Sequence, residues 1–201
     1  MNYITNEYKH TLEIQKSIFI TYIMPLNSVE DVKDILLRLK KEYPKASHYC
    51  YAYIYDQIKH SSDDGEPSGT AGRPMLNVLS MQNVNRIIAI TIRFFGGIKL
   101  GAGGLIRAYV QSVKETLDMA IFFHKVILKK IKLSFPYKYI DKALYYLEKE
   151  KYLILKKEFL DEVEVIVARE IIDENRLKEL FLGELTIDML GKEEIFVPIE
   201  D

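Results

Sequence analysis

Cysteine is nearly absent from this chain: Cys50 stands alone among 201 residues. That excludes an internal disulfide framework and a cysteine-rich zinc site. No run of 18 apolar residues occurs, so no segment reads as a membrane-spanning helix. Residues 1–11 lack the basic start and apolar core of a signal peptide and carry Glu7 and Lys9, so a cytoplasmic location is expected. An excess of one charge is missing too, since 28 Lys and Arg face 29 Asp and Glu for a net charge of −1. A strongly basic nucleic-acid coat is thereby excluded. With 48% hydrophobic and 28% charged residues, the composition is that of a globular protein rather than a disordered or collagen-like one. The length suits one or two domains and buries roughly 70% of the unfolded surface, so the fold needs no staples.

Glycine is scarce as well, and its distribution is informative. Of ten glycines, eight (Gly65, Gly69, Gly72, Gly96, Gly97, Gly101, Gly103, Gly104) fall within forty residues. Such a stretch needs backbone conformations or close approaches that side chains forbid. Charge is also segregated. Residues 1–123 hold 14 basic and 12 acidic side chains, residues 124–157 hold 10 and 3, and residues 158–201 hold 4 and 14. Blocks of opposite sign either pair with each other or present two faces, the basic one suited to RNA or ribosome.

Periodicity predicts an α+β chain. Tyr8 to Ile14 and Phe19 to Leu26 read as strands. Ser28, with Asp31 three residues on, opens a helix carrying Val32, Ile35, Leu36 and Leu39, which Pro44 stops. Ala46 to Tyr55 alternates four tyrosines with Cys50, Ala52 and Ile54, the period of a strand. Residues 56–73 have loop chemistry, and Pro74 suits the first turn of a helix to about Met81. Arg86 to Phe95 is an apolar strand expected to be buried on both faces. A second glycine loop, Gly96 to Gly104, leads into a helix from Leu105 to about Phe122. Beyond a boundary near residue 123 the order is β-α-β-β-α-β, the ferredoxin-like split βαβ arrangement, with Asp173 and Gly183 bounding the second helix.

Both glycine loops run into a helix N-terminus. In the first, Ser68, Gly69, Thr70 and Gly72 place free N–H groups and hydroxyls where an anion cradle forms, with Arg73 beside them. Asp63, Asp64 and Glu66 offer oxygen ligands for magnesium, or acid–base groups, or simply turn caps. The second loop offers Arg93, Lys99 and Arg107 around Gly96, Gly97, Gly101, Gly103 and Gly104. Neither nucleotide fingerprint is met: Ile106 stands where the third glycine of GxGxxG belongs, and no Gly-Lys-Ser/Thr occurs. The pattern therefore points to an anion more than to a nucleotide, or to glycines that only permit close packing. His48 and Cys50 share one face of a strand as supporting residues, a buried thiol beside a hydrogen-bonded histidine. The four histidines have no metal-ligand spacing, and no metal or other cofactor is expected.

The run Asp63-Asp64-Gly65-Glu66-Pro67-Ser68-Gly69-Thr70-Ala71-Gly72-Arg73-Pro74, the run Arg93-Phe94-Phe95-Gly96-Gly97-Ile98-Lys99-Leu100-Gly101-Ala102-Gly103-Gly104-Leu105 and the His48-Tyr49-Cys50-Tyr51-Ala52 strand resemble the signature of the YigZ/IMPACT family. Two positions depart from it: Ile18 stands where an arginine is usual after Lys-Ser, and Phe94 where a tyrosine is usual. If those groups serve a ligand, the site is weakened here. The resemblance implies an N-terminal α/β domain over 1–123, of the type shared by a small-subunit ribosomal protein and domain IV of elongation factor G. It implies a ferredoxin-like domain over 124–201 of the bacterial two-domain kind. Eukaryotic relatives regulate translation under amino-acid starvation through protein contacts, with a different partner-binding region.

The leading expectation is a non-enzymatic binding or regulatory protein linked to translation, with ribosome, RNA or a translation-associated protein as partner and a small anion at the glycine loops. No catalytic residue is assigned and no membrane partner is expected. The second expectation is an enzyme on a phosphorylated or anionic small molecule, the only reading in which magnesium enters, with Asp63 or Asp64 as base or metal ligand and Arg93 or Lys99 neutralising transferred charge. A third makes the loops structural and the C-terminal domain the working interface.

Overall fold

The computed structural model describes residues 1–199, so Glu200 and Asp201, the last of the acidic block, lie outside the described residues. The described residues form two compact units, Met1–His124 together with residues 197–199, and Lys125–Phe196. The C-terminal end thus returns to the first unit, where the Ile199 amide donates to the Phe122 carbonyl at 2.9 Å. No boundary drawn from sequence composition anticipates that return.

The first unit comprises β1 (Asn2–Tyr3), β2 (Tyr8–Ile14), β3 (Ser17–Pro25), α1 (Asp31–Glu42), β4 (His48–Tyr55), β5 (Ile58–Ser62), α2 (Gly72–Met81), β6 (Ile87–Phe94) and α3 (Gly101–Leu117). Its antiparallel sheet has the order β2-β3-β6-β4-β5. The central strand β6 is apolar at successive positions because both faces of the sheet are covered. On one face Phe19, Ile23, Cys50, Ala52 and Ala89 pack with Met75, Val78 and Leu79 of α2 and with Ala108, Tyr109 and Val113 of α3. On the other, Tyr22, Tyr49, Tyr53, Ile88 and Ile90 pack with Val32 and Leu39 of α1. The entry to α1 keeps the return half of a capping box: the Ser28 amide donates to the Asp31 carboxylate at 2.9 Å.

Three expectations need correction. Residues 58–62, read as loop, are an edge strand paired to β4. Their Lys, His and Ser side chains suit an exposed edge as well as they suit a turn. The second glycine loop is shorter than expected, because Gly101, Gly103 and Gly104 already belong to α3. That helix also ends at Leu117, not near Phe122, as Met119 and Ala120 bond back to the carbonyls of Thr116 and Leu117.

The second unit is built from β7 (Phe123–Phe135), a 3-10 turn (Tyr137–Tyr139), α4 (Ile140–Lys149), β8 (Leu153–Phe159), β9 (Val163–Arg169), α5 (Glu174–Leu180) and β10 (Thr186–Pro198), of which the first two residues of β7 and the last two of β10 count with the first unit. Strand β9 lies between β7 and β8, antiparallel to both, and β10 pairs with β7. Ile131, Leu133, Val165 and Val167 form one face of this sheet and pack with Ala143 and Leu147 of α4 and with Leu177 and Phe181. Asp173 caps α5 by accepting from the Arg176 amide at 3.0 Å.

The opposed charge blocks meet in this unit. Lys125 pairs with Glu194 at 2.6 Å, Lys130 with Glu193 at 2.7 Å, Lys132 with Glu164 and Asp188, and Lys138 with Glu184. Each exposed pair contributes little to stability. Together they cancel much of the field that a count along residues 124–157 suggests.

Candidate functional site

The turn after β5 is organised by Asp63. Its carboxylate accepts from the amides of Gly69 (2.8 Å), Ala71 (3.0 Å) and Gly72 (2.8 Å). Burial alone would raise its pKa, but the three N–H donors outweigh it and hold the carboxyl below the ordinary 3.8. Two of these, Gly69 and Gly72, are among the residues expected to cradle an external anion. The protein's own carboxylate fills that cradle. Gly72 is required by packing, since a Cβ there would lie 2.7 Å from the Ser62 backbone. Thr70, expected to lend its hydroxyl to a ligand, donates it to the Pro67 carbonyl at 2.6 Å. Asp64 accepts from the Tyr49 amide at 2.6 Å.

Glu66 does something different. It is buried, and its Oε1 accepts from Arg93 Nη1 at 2.6 Å and from the Tyr109 hydroxyl at 2.8 Å. Arg93 Nη2 donates to Ser17 Oγ at 3.3 Å, while Arg93 Nε has no hydrogen-bond partner. The guanidinium lies between two rings, 5.4 Å from the Phe19 centroid and 5.6 Å from that of Phe95. His48 approaches the other side of Glu66, its Nε2 4.0 Å from Oε2. A carbonyl only accepts, so the 2.9 Å contact of His48 Nδ1 with the Asp64 carbonyl places a proton on Nδ1. Below this group, the Cys50 thiol donates to the Asp63 carbonyl at 2.9 Å and lies 3.3 Å from the Tyr109 hydroxyl. Burial pushes the thiol up to about 12, and burial followed by the neighbouring Cys50 raises Tyr109. Cys50 is thus a buried thiol held in its protonated form.

The two loops meet at a cavity of about 320 Å³ lined by Glu66 and Pro67 from the first, Arg93 from β6, Phe95 and Lys99 from the second, and Leu100, Gly101, Ala102 and Leu105 at the start of α3. No side chain caps α3, and no acid lies in its first turn. Its first amides therefore present an uncompensated positive end. Gly96 lets the second loop turn against β3, since a Cβ there would overlap the Lys16 and Ser17 backbone.

The sequence-predicted residues thus separate. Glu66, Arg93, Lys99 and Gly101 line the cavity. Asp63, Asp64, Gly69, Thr70, Gly72 and Gly96 build the turns around it, and Gly97 takes a positive φ. Ser68 and Arg107 are exposed, as are Gly103 of α3 and Arg73 of α2. Gly104 is partly covered in the first turn of α3. His48 contacts Glu66, and Cys50 lies beneath. Tyr109, Ser17 and Phe95 were not singled out by sequence reasoning. Tyr109 carried a signal, because a hydroxyl on a buried helix stripe needs a partner. Ile18 and Phe94 are direct cross-strand partners and therefore share a face. Phe94 packs with the α1 cluster, whereas Phe19 and Arg93, the next pair, face the other side. The two departures from the family pattern therefore do not touch the Arg93 cavity.

Fold and site together define a class. The model of the Impact N-terminal domain matches residues 15–117, from the end of β2 to the end of α3, and the chain belongs to the IMPACT family. It is 35% identical over 181 residues to the Bacillus subtilis IMPACT family member YvyE, spanning 89% of this chain and 83% of that one. Identity to an IMPACT family member of Haemophilus influenzae is 36% over 185 residues, covering 90% and 88%. A crystal structure described as a hypothetical protein superposes with a TM-score of 0.61 at 29% identity over 96% of this chain and 98% of that one.

Proposed function

We propose that this protein is a binding protein linked to translation, not an enzyme, and that it meets an anionic partner on the helical face of its first unit. The observation that carries the reading is a set of unpaired cations. Among the described residues, Arg73, Lys99, Arg107 and Lys114 form no ion pair, and Glu115 is the one acid on α2 or α3. Arg73 and Lys114 line one groove between α2 and α3, and Lys99 lines the cavity at the head of α3. The partner is ribosome, RNA or a translation-associated protein, and the small-anion site is that cavity. Membership in a family whose eukaryotic relatives regulate translation supports the link. The loss of Asp63 to the loop's own amides weighs against the magnesium-dependent enzyme. No cofactor belongs to this reading.

The finer fold assignment belongs here too. The strand order of the second unit supports a ferredoxin-like domain. The first unit is proposed to be of the ribosomal-protein and elongation-factor-G domain IV type. A cytoplasmic location completes the proposal, in keeping with a single buried thiol. No helix among the described residues is long and apolar enough to cross a membrane.

Co-sedimentation with ribosomes and gel shift with total RNA at low salt test the reading. Association that weakens steeply with salt is expected. Arg73→Ala combined with Arg107→Ala should weaken it more than Lys130→Ala combined with Lys132→Ala, whose lysines are already paired. Absence of ribosome or RNA association in low salt would overturn it.

A further inference from the structure

We infer that the free edge of β2 pairs with the β2 edge of a second copy of this chain, antiparallel about a two-fold axis at Thr11, so that two five-stranded sheets join into one.

Backbone geometry comes first. The order β2-β3-β6-β4-β5 leaves β2 with β3 as its one neighbour in the sheet. Gln15 and Lys16 both take positive φ and Ile14 pairs with Ser17, which defines a two-residue type I′ hairpin. Ile14 and Ser17 therefore exchange both backbone bonds, as do the pairs Leu12–Phe19, His10–Thr21 and Tyr8–Ile23. The N–H and C=O groups of Lys9, Thr11 and Glu13 are left pointing out of the sheet. All three residues are exposed, and the seven-residue strand runs without bulge or proline. Such an edge is a template for another strand. By contrast, β5 has only five residues, with Lys59 bonded to Ser80 of α2 at 3.4 Å. Edge strand β8 carries adjacent lysines and a register shift between Ile154 and Lys156. Both carry devices that discourage pairing.

The side chains of β2 set occupant and register. With Thr11 opposite the partner's Thr11, Lys9 falls opposite the partner's Glu13, and Glu13 opposite the partner's Lys9. Among the described residues neither Lys9 nor Glu13 forms an ion pair within the chain. This register uses all three outward residues of each strand, for about six inter-chain backbone hydrogen bonds. An axis at Lys9 or at Glu13 would instead set like charges against each other. On the α3 face, Tyr8 meets the partner's Ile14, and His10 meets the partner's Leu12. Tyr8, Leu12 and Ile14 are only partly buried against their own core, so pairing covers apolar surface that a single copy leaves in water. None of the cations assigned to the anionic partner takes part, and the two readings stand or fall separately.

Sedimentation of the full chain over an about hundred-fold concentration range tests this and should show a monomer–dimer equilibrium. Lys9→Glu or Glu13→Lys alone sets like charges opposite and should weaken the dimer about ten-fold, while the two together should restore it. Thr11→Pro removes an amide that β3 does not use and should weaken the dimer about ten-fold or more. Melting curves would verify that each variant folds. Thr11→Cys reports the axis itself. Hydrogen-bonded residues across an antiparallel pair have Cα atoms about 5.5 Å apart, within reach of a disulfide. Oxidation should therefore link Thr11→Cys dimers about ten-fold faster than Lys59→Cys on the β5 edge. A monomer throughout the range would overturn the inference. So would a dimer indifferent to Lys9→Glu and Thr11→Pro, a charge swap that fails to restore it, or equal cross-linking through Lys59→Cys.

Discussion

Glu66 Oε1 and Arg93 Nη1 meet at 2.6 Å across 27 residues of sequence, with side chains 3% and 5% exposed. Each is costly to bury alone, so the pair holds the first glycine turn to the central strand only while both are present. Glu66→Ala should lower unfolding free energy by about 3–5 kcal/mol, because it strands a buried cation. Combining Glu66→Met with Arg93→Met should cost less than that single change. Urea unfolding of the three proteins measures both, and a double variant as damaged as the single one would show that the ion pair is not the reason.

Asp63 should make stability depend on pH in the acid range. Its folded pKa is depressed below the ordinary 3.8, so its contribution is present above that value. It is lost as the pH falls through the lower folded value. Unfolding free energies between about pH 5 and 2 should therefore drop more steeply for the natural protein than for Asp63→Asn. The Asn variant should already be less stable at neutral pH, since its amide cannot accept three amide bonds as a carboxylate does.

Two glycines of the second motif should respond oppositely to alanine. Gly96→Ala forces a methyl group into the Lys16 and Ser17 backbone and should destabilise by about 1–3 kcal/mol or more. Gly103→Ala, on the exposed side of α3 and facing only the tip of Arg107, should stabilise by up to about 1 kcal/mol. Thermal melts of the two variants compare them directly.

Cys50 should resist thiol reagents at pH 8 while the fold is intact. Burial raises its pKa to about 12, so almost no thiolate forms and no reagent reaches it. Labelling should follow global unfolding, with the rate rising across the urea transition. Because the folded pKa is raised, the stability linked to this thiol is complete below its ordinary value of 9.0 and is lost as the pH climbs toward 12.

Much of the fold was legible before any coordinates. The apolar run of β6, the alternation of tyrosines with Cys50, Ala52 and Ile54, and the β-α-β-β-α-β order after residue 123 are local patterns that survive folding. Other features were not legible. Residues 58–62 have the composition of a turn and become a strand only because β4 offers them a free edge. Gly101 to Gly104 look like loop and are the first turn of α3, where glycine is tolerated and local propensity is overridden.

By itself the sequence determined where glycine, acid and base concentrate: residues 63–73, residues 93–107 and two charged blocks beyond residue 123. Only the tertiary structure decided which of those groups are already spent. Asp63 closes on its own loop, the lysines of β7 meet the acids of β9 and β10, and Glu66 takes the charge of Arg93. Lys99, beside the uncapped end of α3, and Arg73 and Arg107 on the two helices form no ion pair among the described residues. The physical reason is that hydrogen bonds and ion pairs form between groups brought within about 3 Å, a distance that folding sets and sequence spacing does not.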